Sequence, residues 1–369
     1  MRVSRIDPLS FRNLADEVVE LGPGLTIVHG PNGAGKTNLL EALFFALTGR
    51  SCRTRREREA IGFGADLARV EARLEPDAGE TAEPISMMAS ISSGEARQRL
   101  VDGSPARPED DRRRPALSLF MPDRLALVKG PPSPRRAHLD RLVAALRPAR
   151  AEVPREYGRA LAQRNNLLGR VRRGGDPGSL AAWDRELAER AVPLVEARAE
   201  AAAELVDPFA AAAEELGLPG GASIAYRPRT GDADAEAIVA ELTERREGDV
   251  ARGFTGYGPH RDEVELSFGG RSLRRYGSQG QQRIGLLALL FAEREALRSA
   301  RRRLPLMLLD DVMSELDPER RRRLVAMLAG SGQALITATE LEHVPLAEVA
   351  AAELRIEGGV ASASEAIGR

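Results

Sequence analysis

Residues 25–47 read LTIVHGPNGAGKTNLLEALFFAL, and this stretch decides the fold. LTIVH is an apolar, β-branched run that ends at Gly30. GPNGAGKT, residues 30–37, follows it, and an apolar helix-like run begins at Asn38. The spacing G-x-x-x-x-G-K-T between a strand and a helix is that of a phosphate-binding loop. Gly30, Gly33 and Gly35 admit backbone angles that turn N–H groups inward, and Pro31, Asn32 and Ala34 complete the turn. A helix from about Lys36 to Leu47, stopping at Gly49, adds the positive end of its dipole. Lys36 reaches the phosphates as a point charge, and Thr37 offers a hydroxyl to Mg²⁺. Residues 30–37 are therefore the expected seat of ATP and Mg²⁺.

Composition supports this reading and narrows the rest. The chain has 54 basic residues, and only Lys36 and Lys129 are lysine. A lysine kept inside the loop of an arginine-using chain suggests that a compact ammonium is needed there. The length of 369 residues suggests two or three lobes, and 43% hydrophobic residues are ample for a core. A net charge of −1 announces no global field for nucleic acid, so any DNA site is a local patch. A single cysteine, Cys52, excludes a disulfide framework and fits a reducing cytoplasm. No run of about 20 apolar residues suggests a membrane span.

Along the chain, RVSRIDPLSF, DEVVEL, LARVEARLE, PISMMASISSG and EARQRLVDG read as strands, the last two as a hairpin. SPARPEDDRRRP, residues 104–115, reads as a loop. From about His138 to Leu216 the chain turns rich in Ala, Leu, Glu and Arg, which predicts helices interrupted at RGGDPGS (173–179). ASIAYRPR, VELSFGG and RSLRRYG bring strands back, QQRIGLLALLFAEREALRSA predicts an amphipathic helix, and LPLMLLDD predicts a buried strand. A short helix, the strand QALITAT and a final hairpin close the chain. The expected fold class is α/β: an ABC-type P-loop ATPase head with edge hairpins and an inserted, mainly helical lobe. The expected boundaries are 1–115 for the N-terminal half of the head, 116–255 for the lobe and 256–369 for the C-terminal half.

A phosphate loop needs an acid at the end of a neighbouring strand to hold Mg²⁺. Asp310, at the end of LPLMLLDD, fits that role beside Thr37, and Asp311 stands where a base can orient water. Because 274 residues separate Lys36 from Asp310, a large lobe is inserted between two halves of one core. YGSQGQQR (276–283) opens the long helix. Ser278, Gln279, Gly280 and Gln281 at a helix N-terminus make an anion site of free N–H groups, a hydroxyl and a dipole. Lys36 already serves phosphates in its own subunit. Ser278 is therefore expected to reach the γ-phosphate of a second copy, with ATP holding a head-to-head homodimer together. SELD (314–317) follows as a loop crossing that interface.

These pieces in this order resemble the ABC-type ATPases of the SMC kind. FRN at 11–13, GPNGAGKTNLLEA, GRSCRT, LVKGPPSPRR, GYGPHRDE, YGSQGQQR and LLDDVMSELDPERR together resemble the RecF family over nearly the whole chain, most weakly in the helical middle. The resemblance implies an ATP-dependent, dimeric DNA-binding protein with slow ATP hydrolysis. It also implies partnership with RecR and RecO at gaps, loading of RecA, and roles in repair, replication restart and the SOS response. It makes Lys36, Ser278, Asp310 and Asp311 the catalytic set and places Arg12 and Asn13 at the nucleotide edge. Transporter-type relatives carry Glu at the position of Asp311, which suits slow turnover. The family's Pro-Glu-Asp-Leu is MPDRL here, leaving Asp123 a weak metal-side candidate, and Cys52 stands where histidine is common. Thr337 stands near the position of the transporters' switch histidine and is a candidate γ-phosphate contact.

Several arginine clusters, including Arg135 with Arg136, are candidates for DNA. The segment 50–58 is the foremost, with Arg50, Arg53, Arg55 and Arg56 and few acids. Low aromatic content favours duplex or junction DNA over stacked single strands. His260 in GPHRDE reads as a structural turn residue. The energising subunit of an ABC transporter is the alternative reading. The long insertion, GSQGQ in place of a GGQ-type signature and the missing switch histidine stand against it. A related nuclease would need an acidic metal domain after residue 340.

Overall fold

The computed structural model describes residues 1–367 apart from 55, 78, 95–96, 219, 232, 331 and 347–348. The first strands are β1 (Arg2–Leu9), β2 (Val19–Glu20) and β3 (Leu25–His29), and α1 (Lys36–Thr48) follows the loop. Next come β4 (Leu67–Glu75), β5 (Ile85–Ser92), β6 (Gln98–Val101), β7 (Ser104–Pro105) and β8 (Leu117–Phe120). A helical stretch contains α2 (Ala126–Lys129), α3 (Pro132–Leu146), α4 (Val153–Val171), α5 (Leu180–Ala203) and α6 (Val206–Glu215). It continues through β9 (Ala222–Arg227), α7 (Ala235–Glu244), α8 (Arg246–Arg252), β10 (Glu263–Phe268), β11 (Arg271–Ser272), α9 (Leu273–Tyr276) and α10 (Gln279–Arg301). The chain then returns through β12 (Leu306–Leu309), α11 (Pro318–Ala329), β13 (Ala334–Ala338), β14 (Ala351–Glu357) and β15 (Val360–Ile367).

Two units result: residues 1–122 with 302–369, and residues 123–301. Their limits differ from the boundaries expected at 115/116 and 255/256. The physical reason is pairing. β8 joins β12 in parallel, which draws residues 116–122 into the first unit. In the second, β10 pairs with β9, and α10 packs on α6, which holds 256–301 with the helices.

The first unit has two six-stranded sheets. One runs β15-β14-β3-β13-β12-β8 and is parallel except at β15. Strands β12 and β13 are buried along their whole length, as parallel strands covered on both faces are, so they read as unbroken apolar runs. The other sheet, β2-β1-β4-β5-β6-β7, is antiparallel, and β4 alternates between buried and accessible positions. Helix α1 packs against β4 and β5 of that sheet and β13 of the parallel one. Covered on both sides, it buries Leu39, Leu40, Leu43, Phe45 and Leu47 and has no single apolar stripe. Gly49 ends it at φ 68°, as a left-handed C-terminal cap.

Two local expectations change, and one stretch without a local reading takes shape. The 104–115 stretch is not all loop, because β7 and a turn of 3₁₀ helix (Pro108–Arg112) lie in it. RSLRRYG keeps only two residues of strand before α9. The acid-rich stretch 235–252 forms α7 and α8; Asp234 caps α7 by accepting from the Ala237 N–H at 2.8 Å.

The second unit is tied by buried arginines as well as by its apolar core of Tyr157, Leu187, Leu194, Ile238 and Leu242. Arg164 on α4 is fully buried. It donates to Asp184 of α5 at 2.7 Å, and to Asp249 of α8 and Thr255, both at 2.8 Å. Arg198 on α5 joins Asp140 of α3 at 2.8 and 3.0 Å, the Pro259 carbonyl at 2.8 Å and Asp262 at 3.2 Å. His260 sits between these knots. Its Nε2–H donates to the Thr255 carbonyl at 2.9 Å, and Nδ1 accepts from the Tyr157 hydroxyl at 2.7 Å. Burial, with Arg261 and Arg136 adding to it, pushes its pKa down to about 4, so the ring stays neutral. That geometry is a structural turn.

Candidate functional site

The parallel sheet brings distant residues to one edge. β13 lies between β3 and β12, in register Thr337↔Val28 with the first and Leu309↔Ile336 with the second. The phosphate-loop sequence leaves the C-terminal end of β3, and Asp310 and Asp311 leave that of β12. Ligand crevices of open parallel sheets form at this edge.

Gly30, Gly33 and Gly35 have φ of 151°, 80° and 119°. A Cβ at Gly30 would lie 2.1 Å from the Ile356 carbonyl oxygen of β14, so that strand excludes any side chain there. A Cβ at Gly33 would meet nothing within 4 Å, so glycine is there for its backbone angle and not for want of space. Helix α1 has no side-chain cap, and among the described residues the N–H groups of Gly33, Gly35, Lys36 and Thr37 have no acceptor. These are the donors that bind phosphate at a helix start. Lys36 is buried, and its ammonium donates to the carbonyls of Gly30 at 2.7 Å and Pro31 at 3.0 Å. Burial lowers its pKa, and Asp311 and Asp310 pull it back up.

The Thr37 hydroxyl lies 2.9 and 3.0 Å from the two Asp310 carboxylate oxygens. The Thr337 hydroxyl donates to Asp310 Oδ1 at 2.7 Å and accepts from the Asp311 N–H at 2.8 Å. Asp311 holds φ 48°, a strained setting for a residue with a side chain, and Thr337 fixes it there. Thr337 is fully buried with its hydroxyl used twice, so it positions the two acids instead of facing a γ-phosphate.

Burial raises the Asp310 pKa. The Thr337 and Thr37 hydroxyls pull it down, while Asp311 adds to the rise. An acid whose folded pKa is raised adds stability only below its unfolded value of about 3.9, and it costs stability above that. Asp310→Asn is therefore expected to raise the melting temperature of the nucleotide-free protein at pH 7 by roughly 1–2 °C. The gain should shrink as the pH falls towards about 4. Differential scanning calorimetry across pH checks both; an Asp310→Asn protein that melts lower at pH 7 would contradict this electrostatic account.

The loop is braced from two sides. The Asn13 amide donates to the Gly33 carbonyl at 3.0 Å, and Asn38 donates to Asn13 Oδ1 at 2.6 Å. The turn between β14 and β15 reaches Ala34, whose carbonyl accepts from the Gly359 N–H at 2.9 Å. A Cβ at Gly359 would lie 1.9 Å from the Asn13 carbonyl oxygen, which explains glycine there. Sequence reasoning missed this brace; GGV in the last hairpin was its one visible sign. Arg12 stands beside the loop, but its guanidinium grips the buried Glu41 at 3.0 Å twice and donates to the Glu59 carbonyl at 2.5 Å. It is a strut of the site.

Of the residues expected at DNA, Arg50 and Arg56 are exposed and have no acidic partner among the described residues. Arg53 is tied to Asn38 Oδ1 at 2.7 Å and to Glu41 at 3.4 Å. Arg55 lies outside the described residues, as does the side chain of Asp123. Arg135 is buried and bound to the Gly130 carbonyl at 3.0 Å and to Glu263 at 2.8 Å, so it is structural and not a DNA contact.

Ser278, Gln279, Gly280 and Gln281 belong to the second unit. The Ser278 N–H donates to Gln281 Oε1 at 2.9 Å, and the Gln281 N–H donates to Ser278 Oγ at 3.2 Å, a reciprocal cap of α10. Ser278 is exposed, and its oxygen accepts, which leaves the hydroxyl proton free to donate.

The donor set of the first unit fits a nucleoside triphosphate with magnesium. Glycines give access, uncapped N–H groups and Lys36 supply positive charge, and Thr37 and Asp310 offer oxygens side by side.

Residues 2–360 match the model of the RecF/RecN/SMC N-terminal domain. The chain is 39% identical to the DNA replication and repair protein RecF of Anaeromyxobacter sp. (strain Fw109-5), covering 98% of this chain and 99% of that one. It is 40% identical to the protein of the same name from Myxococcus xanthus (strain DK1622), covering 92% and 91%. A solved structure of the recombination mediator protein RecF-ATP in the RecFOR pathway superposes with a TM-score of 0.85 at 25% identity, covering 98% and 97%. The motifs, the sheet that joins them and these likenesses agree: the chain belongs to the RecF family of SMC-type ABC ATPases.

Proposed function

We propose that this protein is an ATP-controlled DNA-binding mediator of recombinational repair. The observation that supports it most is the meeting of Thr37 with Asp310, 273 residues apart, beside an uncapped α1 and a buried lysine. In this reading residues 30–37 bind ATP, and Thr37 with Asp310 hold Mg²⁺. Bound magnesium would neutralise charge on the phosphates. Lys36 and the N–H groups of the loop hold the phosphates in place. Asp311, fixed by Thr337, orients a water and takes its proton; its short side chain suits a slow ATPase. Asn13 keeps the loop in shape.

Ser278 donates its free proton to the nucleotide of a second copy, so ATP closes a homodimer and hydrolysis releases it. Duplex or junction DNA is the ligand of the closed form. The relatives' names point to replication and repair, and the RecFOR pathway points to RecR and RecO as partners in the cytoplasm. Promotion of RecA loading, replication restart and the SOS response follow from that placement.

Multi-angle light scattering with ATP, with ADP and with neither tests the dimer. The wild type should double its mass with ATP alone, and Ser278→Arg should stay monomeric while still binding ATP. A Ser278→Arg protein that dimerises like the wild type would exclude the role given to Ser278.

A further inference from the structure

Beside β10, β11 and α9, within the second unit, lies a cleft of about 410 Å³. Its rim is RSLRRY, residues 271–276. Arg271, Arg274 and Arg275 are exposed on it, and Tyr276 is 68% exposed. Lys129 is exposed at the end of α2, which packs against α9. Among the described residues, Arg271, Arg275 and Lys129 have no acidic partner. Arg274 has only Glu263 at 4.0 Å, and that carboxylate is already held by Arg135 at 2.8 Å. The other acid of the cleft, Glu265, faces Arg227 at 3.8 Å. Arg190, by contrast, is matched by Glu156 and Glu186 at 2.9 and 3.0 Å. Here four cations stand together beside two carboxylates that other arginines already engage, and their mutual repulsion is relieved by a partner with regularly spaced negative charge.

We propose that this rim, Arg271, Arg274 and Arg275 with Lys129, is a contact for the phosphate backbone of duplex DNA. The proposal rests on the DNA-binding reading above and adds a place for it that lies outside the arginine segment 50–58. Arginine and lysine on an open lip suit sequence-blind contact with successive phosphates.

The position has a mechanical consequence. Gly277 links the rim to the signature helix, and its N–H donates to the Leu273 carbonyl at 3.1 Å. Gln282 donates to the same carbonyl at 2.9 Å. A Cβ at Gly277 would lie 2.6 Å from that oxygen, so the junction is close-packed. The rim and Ser278 therefore move as one piece, and DNA held on the rim bears on the serine two residues beyond Tyr276.

The test is fluorescence anisotropy with a labelled duplex and ATP, over a range of KCl concentrations. It compares wild type with the double variants Arg271→Ala/Arg275→Ala and Arg271→Lys/Arg275→Lys. The alanine pair should make the plot of log affinity against log salt shallower by about 2, and the lysine pair should restore the wild-type slope. Binding of a fluorescent ATP analogue and a thermal melt report folding for each variant. If the wild type binds duplex and the alanine pair shows the same slope and affinity, the proposal is overturned alone. If the alanine pair loses ATP affinity and keeps duplex affinity, the rim is a nucleotide contact and the proposal is overturned. If the wild type binds no duplex in any nucleotide state, the DNA-binding reading falls and takes the rim with it.

Discussion

Replacing Lys36 by methionine is expected to lower ATP affinity about 100- to 1000-fold with little change in the fold. The ammonium is buried, and its neighbours are the two carbonyls of the loop and, further off, Asp310 and Asp311. Methionine keeps the stem's packing and removes the charge. Hydrogen bonds from a charged donor are worth roughly 1.5–3 kcal/mol each, so losing two of them to phosphate costs about 3–5 kcal/mol. That is about two to three and a half orders of magnitude in affinity, and the carbonyls that Lys36 leaves unpaired keep the expectation in the lower part of that range. Asp310 and Asp311 also lose a nearby cation, which adds repulsion against the phosphates. Burying an ammonium is itself unfavourable, so the nucleotide-free protein should melt within about 2 °C of wild type. Isothermal titration calorimetry with ATP and Mg²⁺ reads the affinity, and a melt reads the fold. An affinity within a factor of a few of wild type would mean that the loop binds its ligand by backbone alone.

The largest effect on stability is expected from Arg164→Met. Arg164 holds two fully buried carboxylates, Asp184 and Asp249, and ties α4 to α5 and α8. Methionine fills the space of the stem and leaves both acids short of a partner. Arg246 at 2.6 Å from Asp184 and Arg252 at 2.8 Å from Asp249 remain, each reaching in from a partly exposed position. Breaking a buried pair by removing one partner costs about 3–5 kcal/mol, and the two remaining arginines place this site towards the lower end. Replacing Arg164, Asp184 and Asp249 together by apolar residues of similar volume should cost less than Arg164→Met alone, because no buried carboxylate is then stranded and Arg246 and Arg252, which lose their partners, reach solvent. Denaturant unfolding of both proteins checks the order. If the single variant were the more stable of the two, the arginine would be ornamental to the unit.

The same two regions show what the sequence could and could not say. β3, α1, β12 and β13 were legible because each is a run of apolar residues cut sharply by glycine or by an acid pair. Their spacing also required a long insertion, and the sheet order joins the two halves as required. β8 was harder: LSLF is four residues long and is followed by Met121 and then Pro122, so nothing local separates a core strand from an apolar loop. α7 and α8 were hidden because they are short, ten and seven residues, and dense in charge.

In the site, residues 30–37 and Asp310 stand together as expected, because their chemistry dictates their spacing. Thr337 could be placed near the acids, but not its double hydrogen bond, which depends on the register of β13 between two other strands. Arg12, Arg135, Arg164 and Arg198 show the limit of reading charge from sequence. In a chain this rich in arginine, a structural guanidinium at a helix crossing looks the same as one that meets DNA. Only burial and the identity of the acceptor separate them.

The central claim is that the ATP site governs DNA binding through Ser278. Its most direct test is duplex affinity measured by fluorescence anisotropy with ATP, with ADP and without nucleotide, for wild type and Ser278→Arg. The account predicts that ATP tightens wild-type binding at least tenfold, a difference of about 1.4 kcal/mol, and that Ser278→Arg shows no such gain while still binding ATP. Equal affinity in all three nucleotide states, or an undiminished ATP effect in Ser278→Arg, would contradict it.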